Sequence, residues 1–154
     1  MKLRIHHFFD IIRDFGSGKD IMQHPFLHSY HRIASQIFND SNLKLEIVIE
    51  SDDVCHGCIH LIDKKCDDVI THRKDFTKKE DFNNHLDNRI AKVCGICPSV
   101  FYTPKELCSF GKEYIKNIFY IYEGNDILHT EMRKENVEKG LKLYARHHSF
   151  DSPV

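Results

Sequence analysis

No apolar run in this chain of 154 residues approaches the roughly 20 residues that cross a bilayer. The start, Met1 to His7, also lacks the apolar stretch and the small-residue cleavage site of a secretory signal. Neither sign of charge dominates, because 22 basic residues stand against 23 acidic ones. We therefore expect a cytoplasmic protein that has neither nucleic acid nor a membrane as its partner.

Several catalytic signatures are missing as well. The sequence has no glycine-rich phosphate loop, no G-x-S-x-G nucleophile elbow and no C-x-x-x-C-x-x-C motif of the radical S-adenosylmethionine enzymes. It also has no linker and no low-complexity segment. A length of 154 residues suits one hydrophobic core that needs no disulfides, so we expect a single domain over residues 1–154.

Apolar periodicity predicts a mainly α-helical domain with a small β element, an α+β fold. A first helix is expected from about Ile5 to Gly16, and a second one after Pro25, which stands at the favoured first position of a helix. Alternation over residues 43–49 predicts a strand. That strand leads directly to the first cysteines.

Two capping boxes predict the starts of later helices. Thr77 with Glu80 precedes a helix that leads to the second group of cysteines, and Thr103 with Glu106 precedes a long amphipathic helix. A last, weaker helix is expected over residues 127–146.

Six cysteines form the clearest pattern in the chain. They fall into two matching groups, each a C-x-x-C pair followed after a short loop by one more cysteine. A C-x-x-C turn brings two thiolates close enough to bind one metal ion or one cluster iron, and the third cysteine adds a ligand. Because thiols stay reduced in the cytoplasm, metal binding is favoured over disulfides. The first triplet is Cys55, Cys58 and Cys66, and the second triplet is Cys94, Cys97 and Cys108.

The spacing leaves three arrangements open. Four cysteines from both triplets can hold one [4Fe–4S] cluster, each triplet can hold its own site with a fourth ligand from histidine, aspartate or water, or the metal can be structural zinc. Zinc sites commonly separate their two pairs by about 12–20 residues. Here 35 residues lie between Cys58 and Cys94, which disfavours a compact zinc ribbon. The simpler alternative is that some cysteines are only small buried apolar residues, above all Cys108.

Histidines and acids near the cysteines are candidate partners of the metal. His6 and His7 are adjacent, so only one of them is expected to face a given partner from the predicted first helix. His7 is the candidate for that position, because it fits the apolar stripe less well than Phe8, but a surface or hydrogen-bonded core histidine is the favoured interpretation. Asp52 and Asp53 precede Cys55 and are expected to cap its loop through backbone N–H groups.

Several of these signals occur together in a fixed order. They are Leu3-Arg4-Ile5-His6-His7, Gly16-Ser17-Gly18-Lys19, Asp52-Asp53-Val54-Cys55-His56-Gly57-Cys58, Cys66, and Val93-Cys94-Gly95-Ile96-Cys97 with Cys108. In this order the chain resembles the small bacterial and archaeal family catalogued as domain of unknown function 1284, over most of residues 2–110. Members of that family are described as iron–sulfur-binding proteins. The resemblance therefore implies iron–sulfur binding, and it implies no particular reaction.

The start of the chain departs from the family pattern R-G-H-H-x-x-C. Ile5 replaces the glycine, and Asp10 stands where the cysteine would be. If that cysteine is a cluster ligand in the family, the resemblance implies that Asp10 is a carboxylate ligand here or that the site keeps an open coordination position. The helical residues from about 111 to 147 lie outside the resemblance and are expected to form a C-terminal extension.

These observations give one leading hypothesis and two alternatives. We expect a protein that binds one [4Fe–4S] cluster for electron transfer to a redox partner, for redox sensing or for structural support. The first alternative is a zinc-stabilised binding module without redox chemistry. The second is an enzyme with an open metal position at which His7 or Asp10 meets substrate. The expected ligands are Cys55, Cys58, Cys94 and Cys97, with Cys66, Cys108, His7 and Asp10 in reserve.

Overall fold

Two small sheets and seven α-helices make up the fold in a computed structural model that describes residues 1–154. The strands are β1 (Lys2–Arg4), β2 (Leu45–Val48), β3 (Leu61–Ile62), β4 (Lys65–Cys66) and β5 (Phe101–Tyr102). The larger sheet has the order β1-β2-β5, with β1 parallel to β2 and β5 antiparallel to β2. Strands β3 and β4 form a separate hairpin.

The helices account for about half of the chain, so the predicted mainly α-helical fold with a small β element is confirmed. One hydrophobic core of 26 buried residues extends from Leu3 in the first strand to Tyr144 in the last helix. No helix is both long enough and apolar enough to cross a bilayer. The helices are α1 (Ile5–Ser17), α2 (Tyr30–Asn39), α3 (Lys79–Cys94), α4 (Pro104–Ser109), α5 (Gly111–Lys116), α6 (Ile118–Ile121) and α7 (Ile127–His147).

Helices α1 and α7 pack at van der Waals distance through two glycines. A side chain at Gly16 would overlap the backbone carbonyl of Asn136, and one at Gly140 would overlap the carbonyl oxygen of Ile12. Only a residue without a Cβ atom allows the two backbones to come this close. The last helix, predicted over residues 127–146, is present as α7, and it packs against α1 as part of the core.

Other helix boundaries differ from the expectations for local reasons. The second helix begins at Tyr30 and not after Pro25, which lies in an irregular segment. The predicted capping box of Thr77 is not formed, because the carboxylate of Glu80 instead contacts Arg4 and accepts the backbone N–H of Cys66.

The capping box of Thr103 and Glu106 is present as predicted, with Pro104 in the first turn. The long amphipathic helix expected behind it is divided into α4, α5 and α6, with breaks near Phe110 and Asn117. Buried apolar residues still follow the helical spacing across these breaks, which is why the sequence pattern reads as one continuous helix.

Candidate metal centre

A cavity of about 720 Å³ lies between α1, α3, α7 and the loops that follow α1 and β2. Its wall includes the three thiols of the first triplet, seven imidazoles, four basic side chains and five acidic ones. Positive charge is thus not in excess, and deprotonation of the thiols would make the wall more negative. The cavity consequently suits a cation bound by sulfur and nitrogen better than an anionic ligand.

The turn that carries the first two cysteines is capped by Asp52. Its Oδ1 accepts the backbone N–H groups of Val54 (3.1 Å) and Cys55 (3.3 Å). The N–H of Cys58 then donates to the carbonyl of Cys55 at 3.0 Å, which closes the C-x-x-C turn. The predicted capping role of Asp52 is confirmed, and Asp53 caps a different group, the N–H of Lys2 (2.9 Å).

The third thiol of the first triplet lines the same cavity as the other two. Burial raises the pKa of the Cys66 thiol, and a hydrogen bond from the backbone N–H of Asp68 opposes this effect. Burial, followed by the charge of Asp52, raises the pKa of Cys55 to about 12. The thiols of Cys55 and Cys66 are therefore neutral until a cation displaces their protons.

A second loop, residues 19–29, is fixed to the cysteine loop by three hydrogen bonds. The N–H of Ser29 donates to the carbonyl of Val54 (2.8 Å), and its hydroxyl donates to the carbonyl of His56 (2.8 Å). The N–H of Ile59 donates to the carbonyl of Phe26 (3.0 Å). The two loops thus form one unit, through which His24 and His28 reach the cavity wall.

Gly57 sits inside the first C-x-x-C turn with a φ of 81°, and a Cβ atom there would lie 3.1 Å from the carbonyl oxygen of Leu27. We expect Gly57→Ala to destabilise the protein by about 1–2 kcal/mol and to weaken metal retention, because relief of the strain displaces the two cysteines. Gly95, in the second turn, has a φ of 68° and nothing within 4 Å of its Cβ position. Gly95→Ala is thus a matched control that shares the backbone strain. Equal metal content in both variants would contradict the expectation.

The second triplet lies elsewhere, and none of its members lines the cavity. Cys94 and Cys108 are buried in the hydrophobic core, and burial raises the pKa of each thiol to about 12. Cys97 is exposed, and its backbone N–H donates to the hydroxyl of Tyr102 at 3.0 Å. All six cysteines are free thiols. The structure therefore places Cys55, Cys58 and Cys66 in the wall of one cavity, and the second triplet lies outside it.

Both histidines near the start of α1 line the cavity, although the sequence led us to expect only one to face it. His6 Nδ1 donates to Asp87 (2.8 Å), and His7 Nδ1 donates to Asp52 (2.8 Å). Burial lowers the pKa of His6, whereas at His7 the Asp52 carboxylate outweighs burial and raises the pKa. Each imidazole thus keeps its Nε2 atom free of a protein partner.

Asp10 lines the cavity as well, but its carboxylate is already paired. It binds the guanidinium groups of Arg13 (3.0 Å) and Arg133. Burial alone would raise the pKa of the Asp10 carboxyl, but the two arginines hold it well below its usual range. As a metal ligand, Asp10 would have to give up at least one of these ion pairs.

No group of three or more His, Cys, Asp or Glu side chains is arranged around a common point as a finished metal site. The thiols and imidazoles of the wall would have to converge on binding, as is common where the metal itself completes the fold of a loop. Sequence reasoning did not single out His24, His28 or His60. For His60 the signal was available, because it lies two residues after Cys58, inside the first triplet.

Comparison with known proteins gives no indication of function, which is therefore inferred from the fold and the cavity. No protein-family model, curated protein or solved structure matches the chain.

Proposed function

We propose that the protein holds a thiolate-bound metal centre in the cavity, with Cys55, Cys58 and Cys66 as ligands. An iron–sulfur cluster is the leading candidate for this centre. One observation supports this more than any other. The three thiols of the first triplet line a single polar cavity together with seven imidazoles, and the two loops around them are hydrogen-bonded to each other. Thiolate and imidazole are the ligands that select iron–sulfur clusters and zinc.

The residues present fit such a centre in size and in charge. A cavity of about 720 Å³ is ample for a cluster or a single ion. Burial raises the pKa of the Cys66 thiol, and the hydrogen bond from the backbone N–H of Asp68 opposes this by stabilising the thiolate, the form that binds metal. Because the Cys55 thiol has a pKa of about 12, metal binding must release protons, and apparent affinity is expected to rise with pH.

The ligand set predicted from sequence, which spans both triplets, gains no support from this geometry. It would require Cys97 to leave the surface and Cys94 to leave the hydrophobic core. It remains a prediction that the metal content of single-cysteine variants will test.

The geometry also favours zinc as the second candidate for the metal. The spacing between the two triplets argued against zinc, but that argument fails if the ligands come from the first triplet alone. All three lining thiols then lie within one short loop, as in small structural zinc sites. On this alternative the metal contributes its binding free energy, about 10–16 kcal/mol in zinc-finger peptides, to folding.

An iron–sulfur centre at this place would be near the surface. Cys55, Cys58 and Cys66 are all partly exposed, so a redox partner protein could approach them. Electron transfer or redox sensing therefore suits the site as well as structural support does.

The metal is identified by purifying the protein without oxygen, recording its absorption near 400 nm and measuring iron, sulfide and zinc per chain. A brown protein with stoichiometric iron and sulfide supports the cluster. Stoichiometric zinc without sulfide supports the second candidate. A protein with neither, also after reconstitution with iron and sulfide or with zinc, would end the proposal.

The ligand set is tested by a pair of matched serine variants. Cys58→Ser is expected to lose the metal, because it removes a cavity-lining thiolate, whereas Cys97→Ser is expected to keep it, because Cys97 lies outside the cavity. Metal per chain, measured on protein that circular dichroism shows to be folded, checks both. Loss of metal in Cys97→Ser would instead support the ligand set predicted from sequence. Full retention in Cys58→Ser would contradict both sets.

A further inference from the structure

We propose that His60 is the fourth ligand of this centre, which makes the complete set three thiolates and one imidazole. The inference rests on the proposed function and specifies it for either metal. For this fourth coordination position, the resemblance to a known family implied either Asp10 or no protein ligand.

The place of His60 in the chain is the first argument. It lies between Cys58 and Cys66 and lines the same cavity. The N–H of Asp67 donates to the carbonyl of His60 at 2.9 Å, so His60 and Asp67 face each other across the base of the β3–β4 hairpin. Cys66, the last residue of β4, immediately precedes Asp67, and its side chain lines the same cavity as His60.

The orientation of the ring is the second argument. Nδ1 of His60 lies 2.9 Å from Oδ1 of Asp67, and since a carboxylate only accepts, Nδ1 is the protonated nitrogen. The lone pair is then on Nε2. A carboxylate that holds the far nitrogen of an imidazole is the usual partner of a metal-ligating histidine. The Phe26 and His60 rings pack edge to face, with 4.5 Å between their centroids, and this contact further restricts the orientation of the imidazole.

The two histidines of the 19–29 loop lack this property. Nδ1 of His24 accepts the backbone N–H of Phe26 (3.1 Å), and Nδ1 of His28 accepts that of Tyr30 (3.4 Å). An imidazole whose Nδ1 accepts carries its proton on Nε2 when neutral, and a protonated nitrogen cannot bind metal. These two residues would have to break a backbone hydrogen bond in order to serve as ligands.

The carboxylates of the wall are engaged in the same way. Asp68 is paired with Lys79 at 2.8 Å, and Glu80 accepts the N–H of Cys66 at 3.2 Å. Asp10 is paired with two arginines. Of the remaining imidazoles, His6 and His7 keep a free Nε2, but they belong to α1. His72 and His129 also line the cavity, but they too lie outside the cysteine loop.

A closed set of three thiolates and one imidazole has a consequence for the role of the centre. No coordination position is left for a substrate, so the centre would carry electrons or support the fold. It would not act as a Lewis acid.

Cobalt(II) titration of the metal-free full-length protein tests this ligand, because the absorption of the bound ion reports the number of sulfur and nitrogen donors. We expect His60→Ala to bind Co²⁺ at least 100-fold more weakly than the unchanged protein and with a shifted ligand-field band. His60→Cys is expected to restore affinity with a four-thiolate spectrum. Asp67→Asn, which affects only the outer partner, is expected to weaken binding by about 10-fold.

His56→Ala is the matched control, because His56 lies in the same loop but is exposed and outside the cavity. Its Co²⁺ spectrum is expected to be unchanged. An unchanged Co²⁺ spectrum in His60→Ala would overturn the inference, and so would a changed spectrum in His7→Ala instead. In either case, loss of the thiolate absorption in Cys58→Ser would show that the proposed function still holds. If the unchanged protein shows no thiolate absorption with Co²⁺, the proposed function itself falls.

Discussion

Alanine in place of Gly140 is expected to destabilise the protein by about 3 kcal/mol or more. In an ordinary helix interior the same change stabilises, because glycine costs up to about 1 kcal/mol relative to alanine. Here the added methyl group would overlap the carbonyl of Ile12, so α1 and α7 must separate and lose contact along their length. Thermal unfolding should show a midpoint lower by about 6–12 °C.

Gly18→Ala is the control for this prediction. Gly18 ends α1 with a φ of 69° and has nothing within 4 Å of its Cβ position, so the change there adds backbone strain without a steric clash. It is expected to cost only about 1–2 kcal/mol. A Gly140→Ala protein as stable as the unchanged one would show that the two helices do not pack in this way.

Asparagine in place of Asp87 is expected to cost about 3–5 kcal/mol of stability. The carboxylate of Asp87 is fully buried and accepts three hydrogen bonds, from Arg4 Nε (2.7 Å), His6 Nδ1 (2.8 Å) and the His6 backbone N–H (2.9 Å). An amide has one oxygen to accept with, and its NH₂ group would face donors. The guanidinium of Arg4, also buried, would keep only Glu80 and Asn84 as partners.

The free energies of unfolding of Asp87→Asn and Glu123→Gln, measured in urea, compare the loss of a buried charge with the loss of an exposed one. Glu123 pairs with Arg89 at the surface, so its loss is expected to cost less than about 1 kcal/mol. Burial would raise the pKa of Asp87, but His6 and Arg4 hold it below its usual value. Its contribution is therefore present above about pH 4 and lost as the pH falls through the lowered pKa. A similar urea midpoint for both variants would contradict the buried network.

Local signals in the sequence were sufficient where a single segment determines its own structure. The first helix, which begins at Ile5 and ends within two residues of the expected place, and the capping box at Thr103 are present as expected. Strand β1 was missed, because Lys2–Arg4 is too short for a period-2 pattern and is held by its parallel pairing with β2. The box at Thr77 failed because distant partners, Arg4 and Cys66, bind Glu80 more effectively than its own helix terminus does.

The candidate site shows even more clearly that local sequence signals do not predict contacts between distant segments. Spacing made the two triplets look equivalent, since C-x-x-C describes only the local turn. The turn at Gly57 lies against the 19–29 loop beside a polar cavity, whereas the turn at Gly95 ends a helix whose Cys94 thiol enters the core. Likewise, the two adjacent histidines of α1 both reach the cavity because Asp87 and Asp52 hold them from different elements.

The contact between α1 and α7 determines the order in which the protein can fold during synthesis. Residues near Ile12 leave the ribosome long before the backbone around Gly140, against which they pack. The apolar face of α1 must therefore remain uncovered until α7 has been synthesised, and in that interval other nascent chains or a chaperone can reach it.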